Sequence, residues 1–208
     1  MKDRRRKFSP DIFIHCYQRT IDGRVIFYCD LDFLVCFIII CLAAERYHIR
    51  LLKVCLMYDH IHLVVTAPDR ESLSSFMQAF TTQFSKEAGQ IYGHKGHLFE
   101  SPYGSAVKYG AKKARTVLIY ADNNPVERRL CRQAEFYRWN FLAYGFSSHP
   151  FSEKLQLRYA SRNMRRAVSR VRDCRSKKLP ISYAMMRSLF SGLDTGDRQQ
   201  LTDYIITS

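Results

Sequence analysis

Residues 33–44 limit what this chain can become more than any other segment, because they form twelve consecutive positions without a charged side chain. Crossing a bilayer takes about 20 apolar residues, so the run is too short for a membrane span. Asp30 and Asp32 precede it, and Glu45 and Arg46 close it. Asp30 is placed to cap a helix, so the run predicts a buried helix over residues 31–47.

The neighbouring elements follow from local pattern. Residues 11–19 carry β-formers and predict a strand, Asp22-Gly23 a turn, and residues 25–28 a second strand, the two making a hairpin. Stretches 49–57 and 61–66 flank Tyr58-Asp59-His60 and predict either one bent strand or a hairpin. Asp69 or Ser72 opens a helix over 71–91, with Phe76, Phe80 and Phe84 on one face. Gly89, Gly93, Gly96 and Gly104 punctuate a loop and a strand near 97–108. A third helix over 111–123 should stop before Pro125, since proline disfavours helical backbone in the residue before it. This order predicts an α+β fold, an antiparallel sheet packed with helices.

At 208 residues the chain predicts one main domain with a small appendage. Past His149-Pro150 its character changes: residues 154–178 hold ten Lys and Arg against the lone Asp173. This predicts a basic helix, a break at Leu179-Pro180 and a helical tail, whose last stretch, 201–207, runs to the end as it would in a truncated sequence. Over the whole chain 33 Lys and Arg face 19 Asp and Glu, a net charge of +14 that attracts polyanions, of which nucleic acid is the commonest. The seven cysteines are odd in number and lack a CxxC pair, which predicts a reduced, cytosolic protein without disulfides or a zinc knuckle. The opening Met-Lys-Asp-Arg-Arg-Arg-Lys lacks the apolar stretch of a signal peptide.

Two short patterns carry chemistry. In His60-Ile61-His62, positions i and i+2 of a strand share a face, so two imidazoles stand side by side in a geometry suited to a divalent metal. The plain alternative is two ordinary strand histidines. In Tyr120-Ala121-Asp122-Asn123-Asn124-Pro125-Val126, residues four apart on a helix project together, which pairs the Tyr120 hydroxyl with the Asn124 amide. Here the plain alternative is a packed tyrosine and a capping asparagine.

Taken in order, these patterns resemble the HUH single-tyrosine transposases of small insertion sequences and the REP-associated tyrosine transposases. The resemblance covers roughly residues 10–145: an N-terminal hairpin and apolar helix, the His-apolar-His strand, a phenylalanine-rich helix, Gly96-His97-Leu98-Phe99-Glu100, the Tyr…Asn-Pro-Val segment and Trp139 in Tyr137-Arg138-Trp139. It implies an HUH endonuclease domain, ferredoxin- or RRM-like, over 1–150, with a basic helical extension over 151–208. It implies further that His60, His62 and Asn124 hold a divalent metal, Mg²⁺ or Mn²⁺, and that Tyr120 is the nucleophile. The implied activity is metal-dependent cutting and rejoining of single-stranded, hairpin-bearing DNA through a 5′-phosphotyrosine, in the bacterial cytosol or nucleoid, with no membrane partner. Some relatives are dimers that exchange helices and others are monomers, so the resemblance leaves a homodimer open. One departure stands out: relatives often carry Pro-Asn before the first histidine, where this chain has Tyr58-Asp59.

The candidate DNA contacts are Lys108, Lys112, Lys113 and Arg115 around the tyrosine helix, and Arg158, Arg162, Arg165, Arg166 and Arg170 in the basic segment. Phe99, Tyr103 and Tyr109 are candidates to stack on unpaired bases, or else belong to the core. The rival functions are a domesticated protein that binds DNA hairpins without cutting, a replication initiator or relaxase of the same class, and an RNA-binding sheet in which the histidines would have no role.

Overall fold

The computed structural model describes residues 8–10, 12–177, 179 and 181–208. The basic N-terminal heptad, Asp11 at the start of the first predicted strand, and Lys178 and Pro180 at the predicted break lie outside them.

Four strands form one antiparallel sheet: β1 (Ile14–Arg19), β2 (Arg50–Met57), β3 (His60–Thr66) and β4 (Gly104–Val107), in the order β2-β3-β1-β4. The helices are α1 (Asp30–Arg46), α2 (Arg70–Tyr92), α3 (Gly110–Glu127), α4 (Arg162–Ser176), α5 (Tyr183–Phe190) and α6 (Thr195–Thr207). The α+β expectation therefore holds. β2 and β3 form a hairpin closed by Tyr58 and Asp59.

The predicted hairpin at the N-terminus is corrected. Asp22 and Gly23 do turn the chain, both at positive φ, but the turn is a 3-10 turn and residues 25–28 join no strand. Ile26 and Phe27 are too apolar to remain on an edge; both are buried, and the Ile26 N–H donates to the Tyr58 carbonyl at 2.9 Å. β1 pairs instead with β3 and β4, far along the chain.

Three smaller expectations change as well. Asp32, not Asp30, caps α1: its Oδ2 accepts from the Cys29 N–H at 3.0 Å and the Tyr28 N–H at 2.7 Å. The strand predicted near 97–108 shrinks to β4, because Pro102 has no N–H to donate and Leu98 and Phe99 sink into the core, leaving a single bridge from Phe99 to Thr20. α3 runs through Pro125 to Glu127. So close to a helix end the ring removes only the bond that the Ala121 carbonyl would accept, and the Arg128 N–H still reaches the Asn124 carbonyl at 3.0 Å.

α2 starts where the sequence places it, with Asp69 accepting from the Ser72 N–H at 2.6 Å. Its Phe76, Phe80 and Phe84 are buried with α1 against Ile14, Cys16, Leu63 and Val65 of the sheet. α1 is apolar on every side because it is covered on every side: α5 and α6 pack on it as well as α2 and β2. In α4 the apolar side chains Met164, Val168 and Val171 are buried while Arg162, Arg165, Arg166 and Arg170 are exposed. Two buried carboxylates tie the C-terminal helices down. Asp32 accepts from the Tyr92 hydroxyl at 2.7 Å and the Tyr183 hydroxyl at 2.8 Å, and Asp203 accepts from the Tyr144 hydroxyl at 3.1 Å and the Ser152 hydroxyl at 2.7 Å.

Candidate active site

The β1–β3 register decides which side chains meet. Tyr17 lies opposite His62 and Arg19 opposite His60, and directly paired residues of an antiparallel sheet share a face. Alternation then puts His15, Tyr17 and Arg19 on the same face as the two predicted histidines. This face turns away from α1 and α2 and is crossed by α3, whose Val117 and Ala121 pack on Val64. Lys53 of β2 grips Asp122 of α3 at 2.9 Å, with side chains only 16% and 14% exposed. The Asn140 amide donates to the Asp122 carbonyl at 3.1 Å, which holds the same turn of α3 from the other side.

Clamped this way, α3 presents Tyr120 and Asn124 to a cleft of about 470 Å³ that His15, Tyr17, Arg19, His60, His62 and Arg128 also line. Tyr120 is 43% exposed, with its ring edge-on to those of His62, at 5.6 Å, and His15, at 5.8 Å. Asn124 is buried, and its amide nitrogen donates to the Tyr120 carbonyl at 2.7 Å. With the nitrogen engaged, the amide oxygen is the end left for the site, in the cleft that His62 also lines. His60, His62, Tyr120 and Asn124, predicted from two separate stretches, thus meet in one cleft.

The partners of the imidazoles matter as much as their positions. Asp59 Oδ1 lies 2.5 Å from His60 Nδ1, and His15 Nε2 lies 3.1 Å from His62 Nδ1. Both Nδ1 atoms are therefore occupied, and the Nε2 atoms are the ones free to ligate. A hydrogen-bond acceptor on the far nitrogen, most often a carboxylate, a backbone carbonyl or water, is the usual way a ligating histidine is oriented. The Tyr58-Asp59 departure thus places a carboxylate on the first histidine. Burial lowers the pKa of His62 to about 3, helped by His60 and His15 and opposed by Asn124, and burial with the charge of Lys108 lowers that of His15 to about 4. Both rings are accordingly neutral near pH 7, the state a metal needs. Among the described residues no three His, Cys, Asp or Glu converge on a metal position, and Asn124 lines the cleft beside His60 and His62.

The predicted cations divide. Lys108 is near enough to act on His15, and Lys112, Lys113 and Arg115 are exposed on the first turns of α3. Arg158 stacks on Tyr159 at 4.5 Å, and it lies with Arg162, Arg165, Arg166 and Arg170 away from the cleft lining. Sequence reading missed His15, Tyr17, Arg19, Glu100 and Arg128. The first three had a signal, since His, Tyr and Arg recur at every second position of β1. Gly104 belongs to the same group: a Cβ there would lie 2.0 Å from the Tyr17 ring, so only glycine lets that ring settle against β4.

Comparison with known proteins agrees with this architecture. A solved structure of a REP-associated tyrosine transposase bound to a REP hairpin is similar to this chain at a TM-score of 0.57 and 15% identity, over 69% of this chain and 84% of that one. No curated protein matches. The family model for IS200-like transposases matches residues 14–124, more than half of the chain and the whole stretch from β1 to Asn124. On that match, the chain belongs to the IS200-like family of single-tyrosine HUH transposases.

Proposed function

We propose that this transposase cuts and rejoins single-stranded DNA with Tyr120 as nucleophile and His60, His62 and Asn124 as the holders of a divalent ion. The observation that carries the reading is the partly exposed Tyr120 standing edge-on to His62 in a cleft where both His60 and His62 keep Nε2 free. A Mg²⁺ or Mn²⁺ ion at these donors would polarise the scissile phosphate and offset the charge that develops on it. Tyr120 Oη attacks phosphorus and the bond from phosphorus to the 3′-oxygen breaks, leaving a 5′-phosphotyrosine and a free 3′-hydroxyl. The proton released by the tyrosine balances the one gained by the departing oxygen. Attack of another strand's 3′-hydroxyl on the phosphotyrosine reverses the step and joins the ends, without nucleotide hydrolysis. Arg19 and Arg128 line the cleft where the phosphate would lie.

The substrate we assign is DNA with an unpaired stretch beside a hairpin. The solved relative is bound to a REP hairpin, and the exposed arginine face of α4 supplies a surface for duplex phosphates. His60, His62, Tyr120 and Asn124 line one cleft of a single chain, which supports a monomer as the cutting unit.

The test mixes wild type and Tyr120→Phe with labelled hairpin DNA carrying a single-stranded flank, with Mg²⁺, with Mn²⁺ and with chelator. A metal-dependent protein–DNA adduct that Tyr120→Phe cannot form is the expected result. Hairpin binding without an adduct from wild type would instead make this a non-cleaving DNA-binding protein.

A further inference from the structure

A second cavity, of about 700 Å³, lies between α2 and the segment 97–103. It adjoins the cleft described above: Glu100 lines both, and Thr20 lines one while its neighbour Ile21 lines the other. Its chemistry is the reverse of the cleft's. Among the described residues no Lys or Arg lines it, although the chain carries 33 of them. The α2 stretch that forms one wall, residues 72–85, has no charged side chain in fourteen positions, and Gln78 and Thr82 on it are exposed to solvent. Phe99 and Met77 form an apolar floor, and Tyr103 stands at the side, its hydroxyl 3.5 Å from that of Ser74.

We infer that this groove seats an unpaired nucleobase of the strand whose backbone crosses the cleft, a reading that rests on the nucleic-acid substrate proposed above. A base is uncharged, flat and edged with hydrogen-bonding groups. An aromatic and aliphatic floor with amide and hydroxyl side chains at the rim matches all three properties. Among the described residues no Lys or Arg lines the groove to meet a phosphate, whereas Arg19 and Arg128 line the adjoining cleft. The strand is thereby sorted, phosphates toward the arginines and a base toward α2, and the groove is where base identity next to the cut is read.

The test measures binding of the full chain to a thymidine 12-mer and to a 12-mer of abasic nucleotides, by fluorescence anisotropy at fixed salt. Wild type should prefer the base-bearing strand by roughly tenfold, as stacking of a base on an aromatic side chain gives. Tyr103→Ala, and separately Gln78→Ala with Thr82→Ala at exposed positions that do not threaten folding, should remove most of that margin and leave abasic binding unchanged. In parallel, 5-iododeoxyuridine strands should photocross-link within residues 97–103 or 74–85. Variants that keep the wild-type margin, or cross-links confined to other segments, would overturn the groove. The adduct assay reports separately: cross-links in the groove without any adduct retire the nuclease reading alone, and an adduct with an unchanged margin retires the groove alone.

Discussion

On one face of the sheet Ile14, Cys16, Ile61, Leu63 and Val65 meet α1 and α2 across a continuous apolar core; on the other, His15, Tyr17, Arg19, His60 and His62 face α3, which packs on the sheet through a small apolar cluster of Val64, Val117 and Ala121 with Phe13, Leu52 and Leu118 around it. Same strands, same backbone bonds, opposite content. The first face is held by burial, at roughly 25 cal/mol per Å² of apolar surface. The second is held by a few directed contacts, Lys53 to Asp122, Asn140 to the Asp122 carbonyl and His15 to His62, and it leaves a cleft open beside them. Packing against one face fixes the strands, and that rigidity lets the other face carry buried neutral imidazoles and a half-exposed tyrosine.

The contrast is sharpest between Tyr120→Phe and Phe80→Ala. The first should lower adduct formation by about a thousandfold or more and leave the melting temperature unchanged. The second should cost about 3–5 kcal/mol of stability in a denaturant titration, while the molecules that remain folded still form adduct. A loss of stability in Tyr120→Phe would show that the polar face is also a packing face. His15→Phe should weaken Mn²⁺ binding by about 10–100-fold in calorimetry, because it removes the acceptor that keeps the proton of His62 on Nδ1 and the lone pair on Nε2. His15→Gln, which retains an acceptor oxygen, should recover much of the loss; equal losses in the two variants would reduce His15 to a space-filler.

Lys53→Met leaves Asp122 paired with nothing in a mostly buried position and should destabilise by about 2 kcal/mol, with the double change Lys53→Met and Asp122→Leu recovering most of it. If the single variant were neutral, apolar contact alone would be holding α3. The smallest effect is on pH. Folded pKa values of about 4 for His15 and about 3 for His62 lie below the ordinary value near 6.5, so as pH falls the unfolded chain takes protons that the folded site refuses. Metal-free protein should therefore lose about 1–2 kcal/mol between about pH 7 and about pH 6, and His15→Gln should flatten that slope.

The site was legible wherever its geometry is local. His60 and His62 share a face because a strand repeats every two residues, and Tyr120 and Asn124 meet because a helix brings every fourth residue round. The phenylalanine stripe of α2 and its Asp69 cap were legible for the same reason. The N-terminal hairpin was not. Residues 25–28 have strand composition, but what they do depends on the Tyr58 carbonyl and the floor beneath α1, neither of which is encoded nearby.

By itself the sequence determined the chemistry-bearing pairs, the buried helix at 33–44, the arginine face of α4 and, through the order of motifs, the family. Only the tertiary structure decided that β1 lies between β3 and β4. It thereby also decided that His15 meets His62 across 47 residues of chain, which ring nitrogens are engaged, and that a groove without Lys or Arg among its described lining residues opens beside the cleft. The physical reason is that strand partners are chosen by the burial of whole faces, a sum over distant residues that no local window of the chain contains.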